Sequence, residues 1–558
     1  MNRLFYLLSL IAFLSLGCSS SQKVDIIYYN ARIYTVDSLF SIVEAIAITD
    51  GKIVATGSSS DLLKMDATQK VDLKGQFVYP GFQDAHCHFY GYGVDLKKTW
   101  LIGTKSFNEI VDTLAKFKDR RFMGWVFGRG WDQNDWIDKS YPNKSKLDSL
   151  FPDVPVILLR IDGHAALVNQ KALDICNVNE NSSVIGGQFV KQNGKLTGLL
   201  IDNAVDFVKL KVPTPGTPEL IEALLSAQKN CFEVGLTNVT DAGLDVSTIL
   251  LIDSLQKANQ LKMRMNAMVS FTKDNLEYYK RNGKYHSDRL NVQSFKLYAD
   301  GALGSRGACL LHPYADMPDH TGFLLSTIDS IIYAAQQAKE IGFQMNTHCI
   351  GDSANRLLLK IYGEVLKGKN NLRWRIEHAQ VLSPNDFGLF AQYSVIPSVQ
   401  PTHATSDMYW AKDRVGEERI KTAYAYKKLL NECGIIAAGS DFPVEAINPL
   451  FGFYAAVSRK DQSNFPENGF QPENALTREE ALKAMTIWAA YAGFEESYRG
   501  SLEKRKDADF VILEKDLMQA DEKELFKIKV LQTHIAGKES FDNSELGPDS
   551  YQDKNSNF

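Results

Sequence analysis

The chain has 558 residues, 44% hydrophobic and 23% charged, with a formal net charge of −5. These proportions describe a globular protein with an ample core, and the lack of a basic block argues against nucleic acid as a partner. Seven scattered cysteines without a C-x-x-C pair exclude a disulfide framework as the organising device.

The first element in chain order is a leader. Arg3 precedes a short apolar stretch, Leu4 to Leu16, and Gly17-Cys18-Ser19-Ser20-Ser21-Gln22 follows. The apolar stretch is too short to span a bilayer, and the small residue, cysteine and polar tail resemble a bacterial lipoprotein processing site. Residues 1–22 are therefore predicted to be a signal peptide and tether lipidated at Cys18. The expected location is the bacterial cell envelope, lipid-anchored or periplasmic, with ordinary signal cleavage or a retained apolar anchor as the competing outcomes. No later segment has about 20 consecutive apolar residues, so none is predicted to cross a membrane.

Residues 23–79 read as short strands. Ile26-Ile27-Tyr28-Tyr29, Arg32-Ile33-Tyr34-Thr35-Val36 and Lys52-Ile53-Val54-Ala55-Thr56 are β-branched or aromatic runs, and Asp50-Gly51 is a tight hairpin signal. The same texture returns within 500–546, in Phe510-Val511-Ile512-Leu513 and Val530-Leu531-Gln532-Thr533-His534-Ile535. One small β-sandwich built from both chain ends is predicted, followed by a disordered polar tail over 547–558.

Between these ends, strands are predicted at 77–86, 236–242, 263–270, 291–299, 343–348, 373–378, 394–399 and 435–440. Helical patterns intervene, such as those opening at Leu220 and around Ile331. Eight strands with helices between them predict an α/β fold, a (β/α)8 TIM-type barrel over 80–455, with 456–499 as its C-terminal helical part. A doubly wound open sheet is the competing architecture. The connection from 89 to about 215 is far longer than a barrel loop requires and is predicted to be an inserted subdomain over the barrel mouth.

The chemistry concentrates at the strand ends. His86 and His88 close the first run and share one face, because side chains alternate along a strand, while Cys87 points away. Lys296, His348, His378 and Asp441 each end a further apolar run. Donors from five strand ends favour the barrel, whose C-terminal face gathers such side chains. Four histidines and an aspartate suit two divalent ions, most simply zinc. Lys296 is the odd member, and a surface or ion-paired lysine is its ordinary reading. Carboxylated by CO₂ it becomes a carbamate, able to bridge two metals about 3.5–4 Å apart.

These stretches carry a resemblance. Pro80-Gly81-Phe82-Gln83-Asp84-Ala85-His86-Cys87-His88, Lys296-Leu297-Tyr298-Ala299-Asp300-Gly301, Asn346-Thr347-His348, Ile376-Glu377-His378-Ala379 and Gly439-Ser440-Asp441-Phe442-Pro443 resemble the metal-dependent amidohydrolase superfamily. The branch they look most like is the YtcJ-like or amidohydrolase-3 branch, which includes N-substituted formamide deformylases. The resemblance implies that His86 and His88 bind the more buried metal and His348 and His378 the other, with carboxylated Lys296 bridging. Asp441 would complete the first site and act as the catalytic proton carrier. The implied reaction is hydrolysis of a carbon–nitrogen bond in a small non-peptide amide or formamide by attack of a metal-bound hydroxide.

Four further residues are candidate substrate contacts: His164 in Asp162-Gly163-His164-Ala165, His403 in the stretch Ser398-Val399-Gln400-Pro401-Thr402-His403 that ends the seventh strand, and Trp131 and Asp132 in the insert. An ester, lactone or cyclic amide hydrolase on the same site is the nearest alternative, since the pocket and not the fold sets the substrate. A non-catalytic solute-binding lipoprotein is the alternative of another class. Six filled donor positions argue against it.

Overall fold

The computed structural model describes residues 23–545. The leader with Cys18 and the polar tail lie outside the described residues. Within them, no helix is long and apolar enough to cross a membrane.

Eight strands form the barrel: β1 (Phe82–Cys87), β2 (Leu236–Leu244), β3 (Arg264–Ser270), β4 (Leu290–Tyr298), β5 (Gln344–Cys349), β6 (Arg375–His378), β7 (Ile396–Val399) and β8 (Ala437–Ala438). Each pairs in parallel with the next. β1 and β5 are buried along their whole length, because parallel strands are covered on both faces. The predicted barrel is thus present, and the open-sheet alternative is not.

Closure is made by backbone hydrogen bonds rather than a regular ladder. Asp441 N donates to His86 O and His88 N to Phe442 O, both at 2.8 Å. The buried Asp84 carboxylate ties the same seam, accepting from Ser440 Oγ at 2.6 Å and from His86 N at 3.0 Å. Gly439 permits this approach: a Cβ there would stand 2.5 Å from His86 N, against backbone that cannot yield.

The predicted run 77–86 is two strands, not one. Phe77–Pro80 pairs antiparallel with Phe510–Leu513 in the β-domain, and only the part beyond Gly81 enters the barrel. The β-domain is a sandwich of a four-stranded sheet from the N-terminal segment and a six-stranded sheet drawn from both ends. Tyr28, Ile46 and Ile48 of the first sheet pack with Ile33, Val78, Phe510 and Ile512 of the second. The Asp50-Gly51 hairpin is present, both residues at positive φ, between Ala45–Thr49 and Lys52–Gly57.

The insert forms its own six-stranded sheet, from Thr99–Trp100 to Lys195–Asp202, with two apolar clusters. Barrel helices resume at Thr217–Glu233. Ile328–Glu340 follows as expected from its apolar spacing.

Arg264 pins the β-domain to the base of the barrel. Its fully buried guanidinium donates to Asp509 at 2.6 and 3.1 Å and to the Asp288 carbonyl at 2.8 Å. Removing it takes from the buried Asp509 carboxylate the cation that is hydrogen-bonded to both its oxygens, a loss worth about 3–5 kcal/mol. Arg264→Met is therefore expected to shift the denaturant unfolding transition markedly downward. A midpoint unchanged from wild type would show that this pair does not hold the two domains together.

Candidate metal centre and active site

The six expected donors converge at the C-terminal mouth of the barrel. His88 Nε2 lies 3.2 Å and His86 Nε2 3.6 Å from Asp441 Oδ1, so these three residues present ligand atoms to one point. Lys296 Nζ is 3.1 Å from His86 Nε2. The His86 and His378 rings are 5.0 Å apart, and those of His378 and His348 are 4.6 Å apart. His378 and Asp441 both adopt positive φ, 73° and 62°, which turns their side chains sharply off the strand direction. Such backbone is held only where the surroundings fix it, and it gathers at functional sites.

The buried side chains are oriented for ligation. His86 Nδ1 is bonded to Glu377 Oε2, which leaves Nε2 facing the centre. Glu377 in turn accepts from Arg375 Nε at 2.7 Å and Nη2 at 2.8 Å, and Arg375 also donates to Ser398 Oγ and the Ala85 carbonyl. His378 Nδ1 is 2.7 Å from Gln400 Oε1. Ligating histidines commonly spend their second nitrogen this way, fixing tautomer and ring orientation. Neither Glu377 nor Gln400 was among the expected site residues. The Arg375-Ile376-Glu377 alternation, which puts Arg375 and Glu377 on one face of β6, was the available signal.

The donor set fits divalent metal. His348 Nε2 and Asp441 Oδ1 are buried and have no hydrogen-bond partner, a costly state that a cation resolves. Burial, with Lys296 nearby, lowers His86 to about 4, and burial holds His348 and His378 well below the usual imidazole range. Neutral imidazole is the ligating form. Burial also lowers Lys296 to about 8, toward the neutral amine. Burial opposes ionisation of Asp441, but His88, His86 and His378 outweigh it and hold the carboxyl well below its ordinary range.

The centre opens into two cavities. A smaller one of about 290 Å³ is lined by Asp132, Arg160, His403 and Trp410, and a larger one of about 800 Å³ by Lys98, Arg129 and Asp206. Both reach His88, His164 and Lys296. His164 comes down from the insert and lines both cavities. Its ring is 5.0 Å from that of His348 and is held by Asp202, whose carboxylate is 2.6 Å from Nδ1. Burial opposes its charge, but Asp202 raises the imidazole above its usual value.

His403 also lines the smaller cavity, on the first turn of the helix Pro401–Asp407 rather than at a strand end. Asp132 faces it too, paired with Arg160. Trp131 does not. Its indole is buried in the insert core beside Trp136 and donates to the Leu158 carbonyl at 2.8 Å, because β-alternation turns it opposite to Asp132. Asp300, missed by the sequence, shapes the mouth from below by accepting backbone N–H groups of Cys309, Ile350 and Gly351.

Glu377→Gln is expected to weaken metal binding about 10–100-fold, the usual effect of disturbing a ligand's orienting partner. Chelator competition measures it, and affinity equal to wild type would remove Glu377 from the centre's support.

A parallel barrel whose mouth gathers histidines, a buried lysine and an aspartate defines a metal-dependent hydrolase. A family model described as "Amidohydrolase family" matches residues 69–541, and the chain belongs to that family. It is 32% identical to the putative amidohydrolase YtcJ of Bacillus subtilis (strain 168), over 93% of this chain and 99% of that protein. It is 24% identical to the N-substituted formamide deformylase of Arthrobacter pascens, over 93% and 98%. A crystal structure of an uncharacterized metal-dependent hydrolase from Pyrococcus horikoshii OT3 superposes with a TM-score of 0.73 at 26% identity, covering 89% of this chain and 99% of that one.

Proposed function

We propose that this enzyme hydrolyses the carbon–nitrogen bond of a small non-peptide amide or formamide, using two divalent ions, most simply zinc. The observation that carries the reading is the convergence of His86, His88, Lys296, His348, His378 and Asp441, with buried donor atoms left unpartnered at their centre. His86, His88 and Asp441 would hold one ion, and His348 and His378 the other. Lys296 would bridge as a carbamate: its neutral Nζ bonds to the carbon of CO₂ and releases one proton. Two ions held there would supply Lewis acidity, polarising the scissile carbonyl and acidifying water. The likeness to the Arthrobacter deformylase, whose printed name specifies N-substituted formamides, supports an amide-type bond.

The chain's own residues then divide the work. Asp441, ionised and facing the cavity, accepts the proton of the attacking water on a carboxylate oxygen and returns it to the leaving nitrogen. An amine leaves readily only once protonated, so the same carboxylate serves both steps. His164, kept in place by Asp202, stands beside His348 at the centre, where an imidazolium can donate to the developing oxyanion. His403 and Asp132 line the path by which substrate reaches them.

Screening the metal-loaded protein against a panel of N-formyl and N-acyl amines tests the reading. Turnover of esters or lactones with none of amides would replace it. At the envelope, lipidation of Cys18 is proposed to anchor the enzyme. Cys18→Ala is expected to leave the membrane fraction or stay unprocessed, and wild-type protein without lipid would end that idea.

A further inference from the structure

The smaller cavity carries an excess of carboxyl groups that the metal centre does not use. Asp132 and Asp162 share the buried Arg160 guanidinium, which also donates to Gln133 at 2.9 Å, so that cation is fully engaged. Three more carboxyl groups line the cavity: Asp135, Asp407 and Glu445. Asp407 accepts from Tyr424 Oη at 2.8 Å and Gln380 Nε2 at 3.2 Å, and Glu445 accepts from Ser406 Oγ at 2.6 Å. Among the described residues, none of the three forms an ion pair with a lysine or arginine.

A second observation points to a ligand in the same place. His403 is 9% exposed, and its Nε2 is buried without any hydrogen-bond partner. That atom stands 4.0 Å from Asp441 Oδ2 and 3.9 Å from Glu445 Oε1 and bonds to neither. It lies between the reacting centre and the carboxyl groups, where a substrate reaching from one to the other passes it. Trp410 lines the same cavity and offers an aromatic wall, a surface to which cations are attracted.

We infer that the substrate carries a guanidinium or ammonium group, held in the smaller cavity by Asp135, Asp407 and Glu445 beside Trp410. The inference rests on the proposed hydrolase reading only for which bond is cut. Burial pushes Glu445 up to about 7 and Asp407 well above the carboxylate range, the behaviour of acids that lack a counter-charge. A cation seated among them supplies it and favours their ionised forms. The larger cavity differs. There Lys98 and Arg129 flank Asp95 at 2.6 and 3.1 Å and Lys209 stands 3.5 Å from Asp206, so these carboxyl groups already have cationic partners.

The test uses the full-length, metal-loaded protein and two probes of equal shape, n-butylguanidinium and n-butylurea. Guanidinium stays charged at all working pH values and is no metal ligand. Calorimetry is expected to find the guanidinium bound at least tenfold more tightly than the urea. Glu445→Gln should reduce that ratio to about threefold or less, with metal content retained. Asp135→Asn, at an exposed position, guards against a folding defect and should also lower the ratio.

Equal binding of the two probes, or a ratio that survives both substitutions, overturns the inference. If neutral formamides are cleaved as efficiently as guanidinium-bearing ones and the probes bind equally, the charge assignment fails while the carbon–nitrogen reading stands. If no amide is cleaved but n-butylguanidinium still binds through Glu445, the bond assignment fails and the charge assignment stands.

Discussion

Asp441→Asn is expected to keep the fold and most of the metal while kcat falls roughly 10²–10⁴-fold, the usual span for a general acid–base group. The amide retains the shape and an oxygen facing His88, which lies 3.2 Å from Asp441 Oδ1 in the native protein. It cannot take up a proton at neutral pH. The loss should be steepest for substrates with strongly basic amine leaving groups, which need the proton returned, and mildest for activated esters, which do not. Comparing kcat across a leaving-group series measures this directly. Complete loss of metal from the variant would make Asp441 chiefly a ligand, and near-normal amide turnover would hand the proton to His403 or His164.

Lys296→Ala is expected to have a larger effect still. Lys296 is fully engulfed, with Nζ 3.1 Å from His86 Nε2 and beneath both cavities. If its carbamate bridges the ions, truncation removes a ligand to each, so both occupancy and turnover should collapse beyond the loss expected of an acid–base residue. Adding a short carboxylic acid together with metal should restore part of the activity by supplying the missing oxygens. Metal analysis paired with kinetics reads the result. A protein that binds a single ion at full activity, with or without Lys296, would rule out the bridge and shift the chemistry to a one-metal site.

The barrel strands and the donors were legible because both rest on local pattern. An apolar run that ends in a ligand-type residue announces a buried strand and its mouth-facing end together, as in Gln344–Cys349 with His348. What escaped depends on packing between distant segments. Gly81 divides one apolar run into two strands because residues 77–80 find Phe510–Leu513 as a partner, more than 400 positions away. Glu377 reads as one more polar residue beside a histidine until Arg375 and His86 are brought to its two oxygens. The sequence offers Trp131 beside Asp132 as a candidate pocket residue, although aromatic residues more often fill a core, and alternation fixes which of the two faces inward only once the sheet's sides are known. His403 sits one helical turn past its strand because Pro401 begins a helix there.

The seam between the first and last barrel strands also sets an order of assembly. Asp84 and Ser440, which tie it, are 356 positions apart, and the donors His86 and His88 on one side meet Asp441 on the other. During synthesis the early histidines must wait, without their carboxylate, until almost the entire barrel has been made. Stable metal capture by these residues would then be a late event, and a metal held by them would act as a clasp that joins the beginning of the barrel to its end. A lesion anywhere along the wall that keeps the seam from closing should therefore show itself first as a protein that has lost its metal.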